Sequence, residues 1–176
     1  MKTISHHIID IVHNSIRALS SVISVQVVES VTKNILRIEV EDNGCGMDEK
    51  LLSGVTDPFT TTRTTRKIGM GIPLLKFHAE QTNGSFSIES QIGLGTKLIA
   101  SFQLDHIDLQ PLGDLSGAIS QLMASTQNSN ISFSYHNDKI DFTISSQDIW
   151  DILESRVIDS KEMIMIKEII ESNINP

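Results

Sequence analysis

The chain has a single cysteine, Cys45, and no uninterrupted run of eighteen apolar residues. One cysteine excludes an intramolecular disulfide and a multi-cysteine zinc site, and it agrees with a reducing compartment. The missing apolar run excludes a conventional membrane-spanning helix. The opening residues MKTISHHIIDIVHNSIRAL carry Asp10, Asn14 and Arg17 where a secretory signal needs an unbroken apolar stretch, so the expected location is cytoplasmic with no membrane partner. There is no internal repeat and no low-complexity tract. Positive charge is also scarce, with 14 Lys and Arg against 22 Asp and Glu, a net charge of -8. Residues 1–104 hold ten of each sign, so the whole excess of acid falls in residues 105–176, which hold four basic and twelve acidic residues. An acidic half repels a phosphate backbone, which argues against nucleic acid and for a neutral or basic protein partner.

What is present is an ordinary globular composition, 39% hydrophobic and 20% charged. Ile4, Ile8, Ile11, Val12, Ile16 and Leu19 recur at three- and four-residue steps, which predicts an amphipathic helix from Thr3 to about Ser21. Two β-branched runs follow, from Ser24 and from Asn34, joined by a turn at Thr32 and Lys33. This hairpin is expected at or near a sheet edge. Asp48 can cap a short helix to about Ser53. The stretch 57–71 is rich in threonine, arginine and glycine without apolar period and reads as a long loop, a candidate for ligand contact. A helix is expected from Ile72 to Gln81, with Pro73 tolerated in its first turn. Two further strands follow in SFSIES and TKLIASFQL. Helices and a single sheet in this order predict a two-layer α/β sandwich of the α+β class. After Leu104 a connector leads to a helix at 114–124, strands near 131–135 and 139–144, and helices at 147–154 and 160–172. The last of these starts with a capping box of Asp159 and Glu162. The expected division is a domain over 1–104 and an acidic extension over 105–176 that could dock a partner.

Asp10 and Asn14 lie four apart, on one face of the first helix. A carboxylate and an amide placed so can position water and metal. Asp42-Asn43-Gly44-Cys45-Gly46-Met47 ends a strand with a carboxylate able to accept from an exocyclic amine, followed by two glycines that admit a close backbone approach. Gly69-Met70-Gly71 leads into a helix, so its amides can bind phosphate at the positive end of the helix dipole. Thr61, Arg63 and Lys67 add a hydroxyl and two cations beside it. Each element alone is equally compatible with an ordinary turn, loop or helix face.

In order, however, DIVHNSIRA (10–18), DNGCGM (42–47), DPFTTTR (57–63), KIGMGIPLLK (67–76) and GSFSIESQIGLGTKLIASFQL (84–104) resemble the asparagine, glycine and phenylalanine boxes and the closing hairpin of the histidine kinase-like ATPase superfamily. The resemblance implies a Bergerat-type fold that binds ATP with Mg²⁺. It implies that Asn14 coordinates the metal, Asp42 binds the adenine amine, and Gly44, Gly46 and Met47 shape the adenine pocket, with Thr96 near the base. Gly69, Met70 and Gly71 would meet phosphate oxygens, Arg63, Arg66 and Lys67 are candidates for the γ-phosphate, and Thr61 is a hydroxyl donor beside them. The thirteen residues before Asn14 leave no room for a dimerising hairpin with a phosphoacceptor histidine, so self-phosphorylation of the usual build is not expected. Asp10 stands where the hydrolysing branches keep a carboxylate that activates water, one methylene shorter than their glutamate. The expected function is a regulatory protein kinase or slow ATPase acting with a protein partner or phosphoacceptor, and the alternative is a non-catalytic nucleotide-dependent interaction module.

Overall fold

A computed structural model describes residues 2–57 and 70–175. These residues form, in order, α1 (Ile4–Arg17), β1 (Val22–Ser30), β2 (Ile35–Asp42), α2 (Glu49–Gly54), α3 (Gly71–Gln81), β3 (Phe86–Gln91), β4 (Gly95–Gln103), α4 (Leu115–Ala124), β5 (Asn130–His136), β6 (Asp141–Ser145), α5 (Ser146–Leu153) and α6 (Ser160–Ile174). The strands make one mixed sheet in the order β3-β4-β2-β1-β5-β6, in which only β1 and β5 run parallel. The expected α+β architecture with a single sheet is what is found.

Period-two alternation decides the two faces of the sheet. Ile23, Val25 and Val27 of β1, Leu36, Ile38 and Val40 of β2, Leu98 and Ala100 of β4, and Ile131 and Phe133 of β5 are buried. The opposite face carries the polar residues Ser24, Gln26, Glu39, Glu41, Lys97 and Ser132, with Ile99 of β4 beside them. Helices α3, α1, α4 and α6 neighbour one another in that order against the apolar face. Helix α1 is the central one, and its Ile4, Ile8, Ile11 and Val12 are buried. Each such side chain contributes about 1.5–3 kcal/mol through burial, which fixes the face that α1 turns to solvent and to the site.

Both ends of α1 are held. Thr3 caps its N-terminus, and the backbone N–H groups of Ile4 and Ser5 donate to the carbonyls of Pro111 and Leu112, each at 3.0 Å, so the connector runs across the start of the helix. At the other end Leu19 takes a left-handed conformation (φ 59°) that turns the chain into β1. The capping box of Asp159 and Glu162 forms as expected, and a second one, Ser145 with Asp148, starts α5.

The position of the first hairpin is a correction. Strands β1 and β2 lie at the centre of the sheet, because β4 pairs with β2 and β5 pairs with β1 from Val22 opposite Asn130 to Val28 opposite His136. Within residues 1–104 alone β1 would be the edge, and it is β5 that covers it. Asp138 adds a tie, accepting from the Ser30 hydroxyl at 2.8 Å and from the N–H groups of Val31 and Thr32 at the β1–β2 turn. Among the described residues no helix is long and apolar enough to cross a membrane.

Candidate functional site

Strand register places the site. Asp42 of β2 lies opposite Thr96 of β4, and Thr96 lies opposite Ser90 of β3, so the three form one polar row across the strands. Two residues further in, Val40, Leu98 and Ile88 form the next row on the same face, which is apolar. Helix α1 crosses above with Ile11, Asn14, Ser15 and Ala18. Between helix and sheet is a cavity of about 360 Å³, with the apolar row as its floor and Asp42 and Thr96 at its polar end. Cys45, Gly46 and Met47 close one side with Leu51 of α2, and Gly71, Ile72 and Pro73 at the start of α3 close the other.

The Asp42 carboxylate is fixed by three donors. Its Oδ1 accepts from Ser20 Oγ at 3.0 Å and from the Gly44 N–H at 2.9 Å, and its Oδ2 accepts from Ser15 Oγ at 2.6 Å. The following turn is equally fixed. Asn43 Oδ1 accepts from the N–H groups of Ser21 and Val22, each at 2.9 Å, and the Cys45 N–H donates to Ala18 O at 2.9 Å. The two glycines have separate reasons. Gly44 presses on the end of α1, where an added Cβ would lie 2.8 Å from Ala18 Cβ, while Gly46 has φ +67° and would place a Cβ 1.9 Å from Gln91 O. Only glycine meets both conditions at the second position without strain.

On α1, Asn14 faces the cavity, and its Oδ1 accepts from Arg17 Nη1 at 2.8 Å, leaving a second lone pair. Asp10, one turn earlier, is outside the cavity lining. Its carboxylate lies beside the start of α3, with Oδ2 3.2 Å from where a Cβ of Gly71 would be. Met70 is the N-cap of α3 and makes no side-chain capping bond. Gly71 lines the same cavity as Asn14, and no side-chain cap competes for the first amides of its helix, an arrangement that suits an anion.

Of the residues singled out by sequence, Asn14, Asp42, Gly46, Met47, Gly71 and Thr96 line one cavity. Gly44 lies behind its wall, Met70 is half exposed at its rim, and Asp10 stands beside it. Thr61, Arg63, Arg66, Lys67 and Gly69 lie outside the described residues. Sequence reasoning missed Ser15, Ser20 and Ser90, and the Arg17 bond to Asn14. Only the last had a local signal, an i,i+3 spacing on one helix.

Among the described residues no group of three His, Cys, Asp or Glu side chains could hold a metal alone. Asn14, which faces the cavity, offers a single uncharged amide oxygen, Oδ1.

Residues 2–106 match the family model described as histidine kinase-, DNA gyrase B- and HSP90-like ATPase. The chain is similar to the sensor histidine kinase CitA of Klebsiella pneumoniae, 36% identical over 59 residues that make up 34% of this chain and 11% of that protein. It is also similar to the osmosensing histidine protein kinase SLN1 of Saccharomyces cerevisiae, 31% identical over 77 residues, 41% of this chain and 6% of that protein. The chain thus spans only a small part of the length of these relatives. In fold it resembles the Aquifex aeolicus MutL ATPase domain complexed with ADP, with a TM-score of 0.50 at 11% identity over 88% of this chain and 70% of that one. It likewise resembles the N-terminal domain of a DNA repair protein, with a TM-score of 0.54 at 12% identity over 82% and 52%.

Proposed function

The chain belongs to the histidine kinase-, DNA gyrase B- and HSP90-like ATPase family, and on that premise we propose that its cavity binds ATP with Mg²⁺ for use as a regulatory protein kinase or slow ATPase acting with a protein partner. The observation that carries the reading is the polarity of the cavity from end to end. A fixed carboxylate, Asp42, stands beside Thr96 at one end, an apolar floor of Val40, Leu98 and Ile88 follows, and Asn14 of α1 and the uncapped start of α3 at Gly71 complete the lining. A planar base with an exocyclic amine fits the first end, and its rings cover the apolar row. The triphosphate then reaches the helix N-terminus.

In this reading Asn14 would supply a protein oxygen to Mg²⁺, which would neutralise phosphate charge. The Gly71 amide meets phosphate oxygens, and Gly69, Thr61, Arg63 and Lys67 are assigned to the phosphates by resemblance. Asp10 is the proton acceptor. An oxygen nucleophile forms a bond to the γ-phosphorus, the bond from that phosphorus to the β–γ bridging oxygen breaks, ADP leaves, and the proton of the nucleophile passes to the Asp10 carboxylate. Water as nucleophile gives hydrolysis. A hydroxyl of a partner protein gives phosphoryl transfer, and the same base serves both.

Incubation with γ-labelled ATP and Mg²⁺, scoring free phosphate and labelled protein, tests the proposal. Free phosphate supports the ATPase, and label on an added partner supports the kinase. The position of Asp10 beside the cavity rather than in its lining favours a second reading, a nucleotide-dependent interaction module. That reading predicts ATP binding with neither product.

A further inference from the structure

The direction of each hydroxyl proton around the polar end of the cavity follows from counting. Asp42 has four lone pairs, two on each carboxylate oxygen. Ser20 Oγ and the Gly44 N–H fill Oδ1, and Ser15 Oγ takes one of the two on Oδ2. One remains. Ser15 has one hydroxyl proton, which follows the 2.6 Å bond to Asp42 rather than the 3.5 Å contact to Ile11 O, so toward the cavity its oxygen can only accept. Ser90 also has a single proton and three neighbours. Its oxygen accepts from the Met47 N–H at 2.9 Å and lies 2.8 Å from Gly95 O and 2.9 Å from Thr96 Oγ1. The Ser90 hydroxyl donates to Gly95 O, the shorter of its two contacts to an acceptor. Thr96 must then donate to Ser90, and it meets the cavity with lone pairs alone.

Resting on the nucleotide reading above, we infer that Ser15, Ser20 and Ser90 are positioning residues that make the polar end of the cavity acceptor-only and thereby set its selectivity for a base with an exocyclic amine. Asp42 Oδ2, Ser15 Oγ and Thr96 Oγ1 all require a donor. An amine supplies one directly, and a water between Thr96 and a ring nitrogen can donate to both. A base with an oxo group at the same position instead sets oxygen against three acceptors, one of them a carboxylate. None of the three serines lies in the residues 42–47 that follow the strand, and Ser90 does not line the cavity. If they only satisfied turns, their loss would weaken all nucleotides alike.

Calorimetric titration of the full chain with MgATP and MgITP separates these cases, since ITP replaces the amine by an oxo group and the adjacent ring acceptor by an N–H. Wild type should favour ATP by about 100-fold or more, as a site built around a donor does. Ser90→Ala leaves the Thr96 proton without its acceptor and able to turn into the cavity, so the ratio should narrow by about tenfold. In a Thr96→Val background, which has no hydroxyl to turn, the same substitution should leave the ratio unchanged, and Ser90→Thr should keep the wild-type ratio. Ser15→Ala, on a helix that accepts alanine, should narrow the ratio by about tenfold through loss of ATP affinity. Wild-type ratios in both alanine variants, or equal narrowing with and without the Thr96 hydroxyl, would overturn the inference. A wild type that binds neither nucleotide would overturn the nucleotide reading itself, which the wild-type titration reads separately.

Discussion

Mild acid should destabilise the protein through His7. Its imidazole is buried between α1 and α3, edge-on to His78 with ring centroids 5.5 Å apart. Its Nε2 is 3.0 Å from Gln110 Oε1 and its Nδ1 has no hydrogen-bond partner among the described residues. Burial is the main reason that its pKa falls from 6.5 to about 4; the neighbouring His78 lowers it further and the Gln110 bond partly opposes the change. Between those two values the unfolded chain binds a proton that the folded chain does not, so stability rises with pH across the window. The contribution is complete above about pH 6.5 and is lost progressively as pH falls to about 4. The displacement corresponds to about 3 kcal/mol, a large share of a typical total of about 5–15 kcal/mol. The carboxylates with lowered pKa, Asp105, Asp114 and Asp138, are held there chiefly by hydrogen bonds from Asn34, Lys167 and Ser30 respectively. Their contributions are present above the ordinary carboxylate range and are lost below it, so a measurement between pH 7.5 and 4.5 avoids them, and comparison with a His7 variant separates His7 from the other histidines. Urea unfolding at several pH values should show the decline, and His7→Asn should flatten it. A wild-type free energy that is constant to about 0.5 kcal/mol over this range, or an equal slope in the variant, would refute the reasoning.

Asp10→Asn should lower phosphate release or transfer by about 10²-fold or more and change ATP affinity less than about threefold, because a general base acts on the nucleophile in the transition state; equal rates per folded molecule would assign Asp10 a structural role. Gly46→Ala combines a left-handed backbone, costing roughly 1–2 kcal/mol, with a Cβ placed 1.9 Å from Gln91 O, so the loop must move. Denaturant midpoints should show a loss of about 2 kcal/mol or more, and a variant within about 0.5 kcal/mol of wild type would mean that the turn relaxes freely.

The parts of this fold legible in sequence are those with a local cause. The apolar period of α1 and the caps at Asp48 and Asp159 are read from neighbours within a few residues, and the structure places them within a turn of expectation. The central position of β1 was not legible, because its partner β5 is 108 residues later at Val22 and Asn130, and nothing in either strand specifies the pairing. The same division holds in the site. Asn14, Asp42 and Thr96 stand in motifs whose types and spacing announce a chemistry, whereas Ser15, Ser20 and Ser90 are common residues whose roles exist only once α1, β2 and β3 meet. The Gln110 link between His7 and His78 is hidden for the same reason, since it joins α1, the connector and α3.

The central claim is that a magnesium nucleotide occupies the cavity between α1 and the sheet, and titration calorimetry of wild type and Asn14→Ala with ATP, with and without Mg²⁺, tests it most directly. Asn14 is half buried, faces the cavity rather than the core, and its side chain bonds only to the exposed Arg17 among the contacts of the described residues, so the variant should keep its unfolding midpoint. The account predicts Mg²⁺-dependent ATP binding by wild type and loss of that dependence, with affinity reduced by about tenfold or more, in the variant. A folded variant with unchanged affinity and unchanged Mg²⁺ dependence would contradict it.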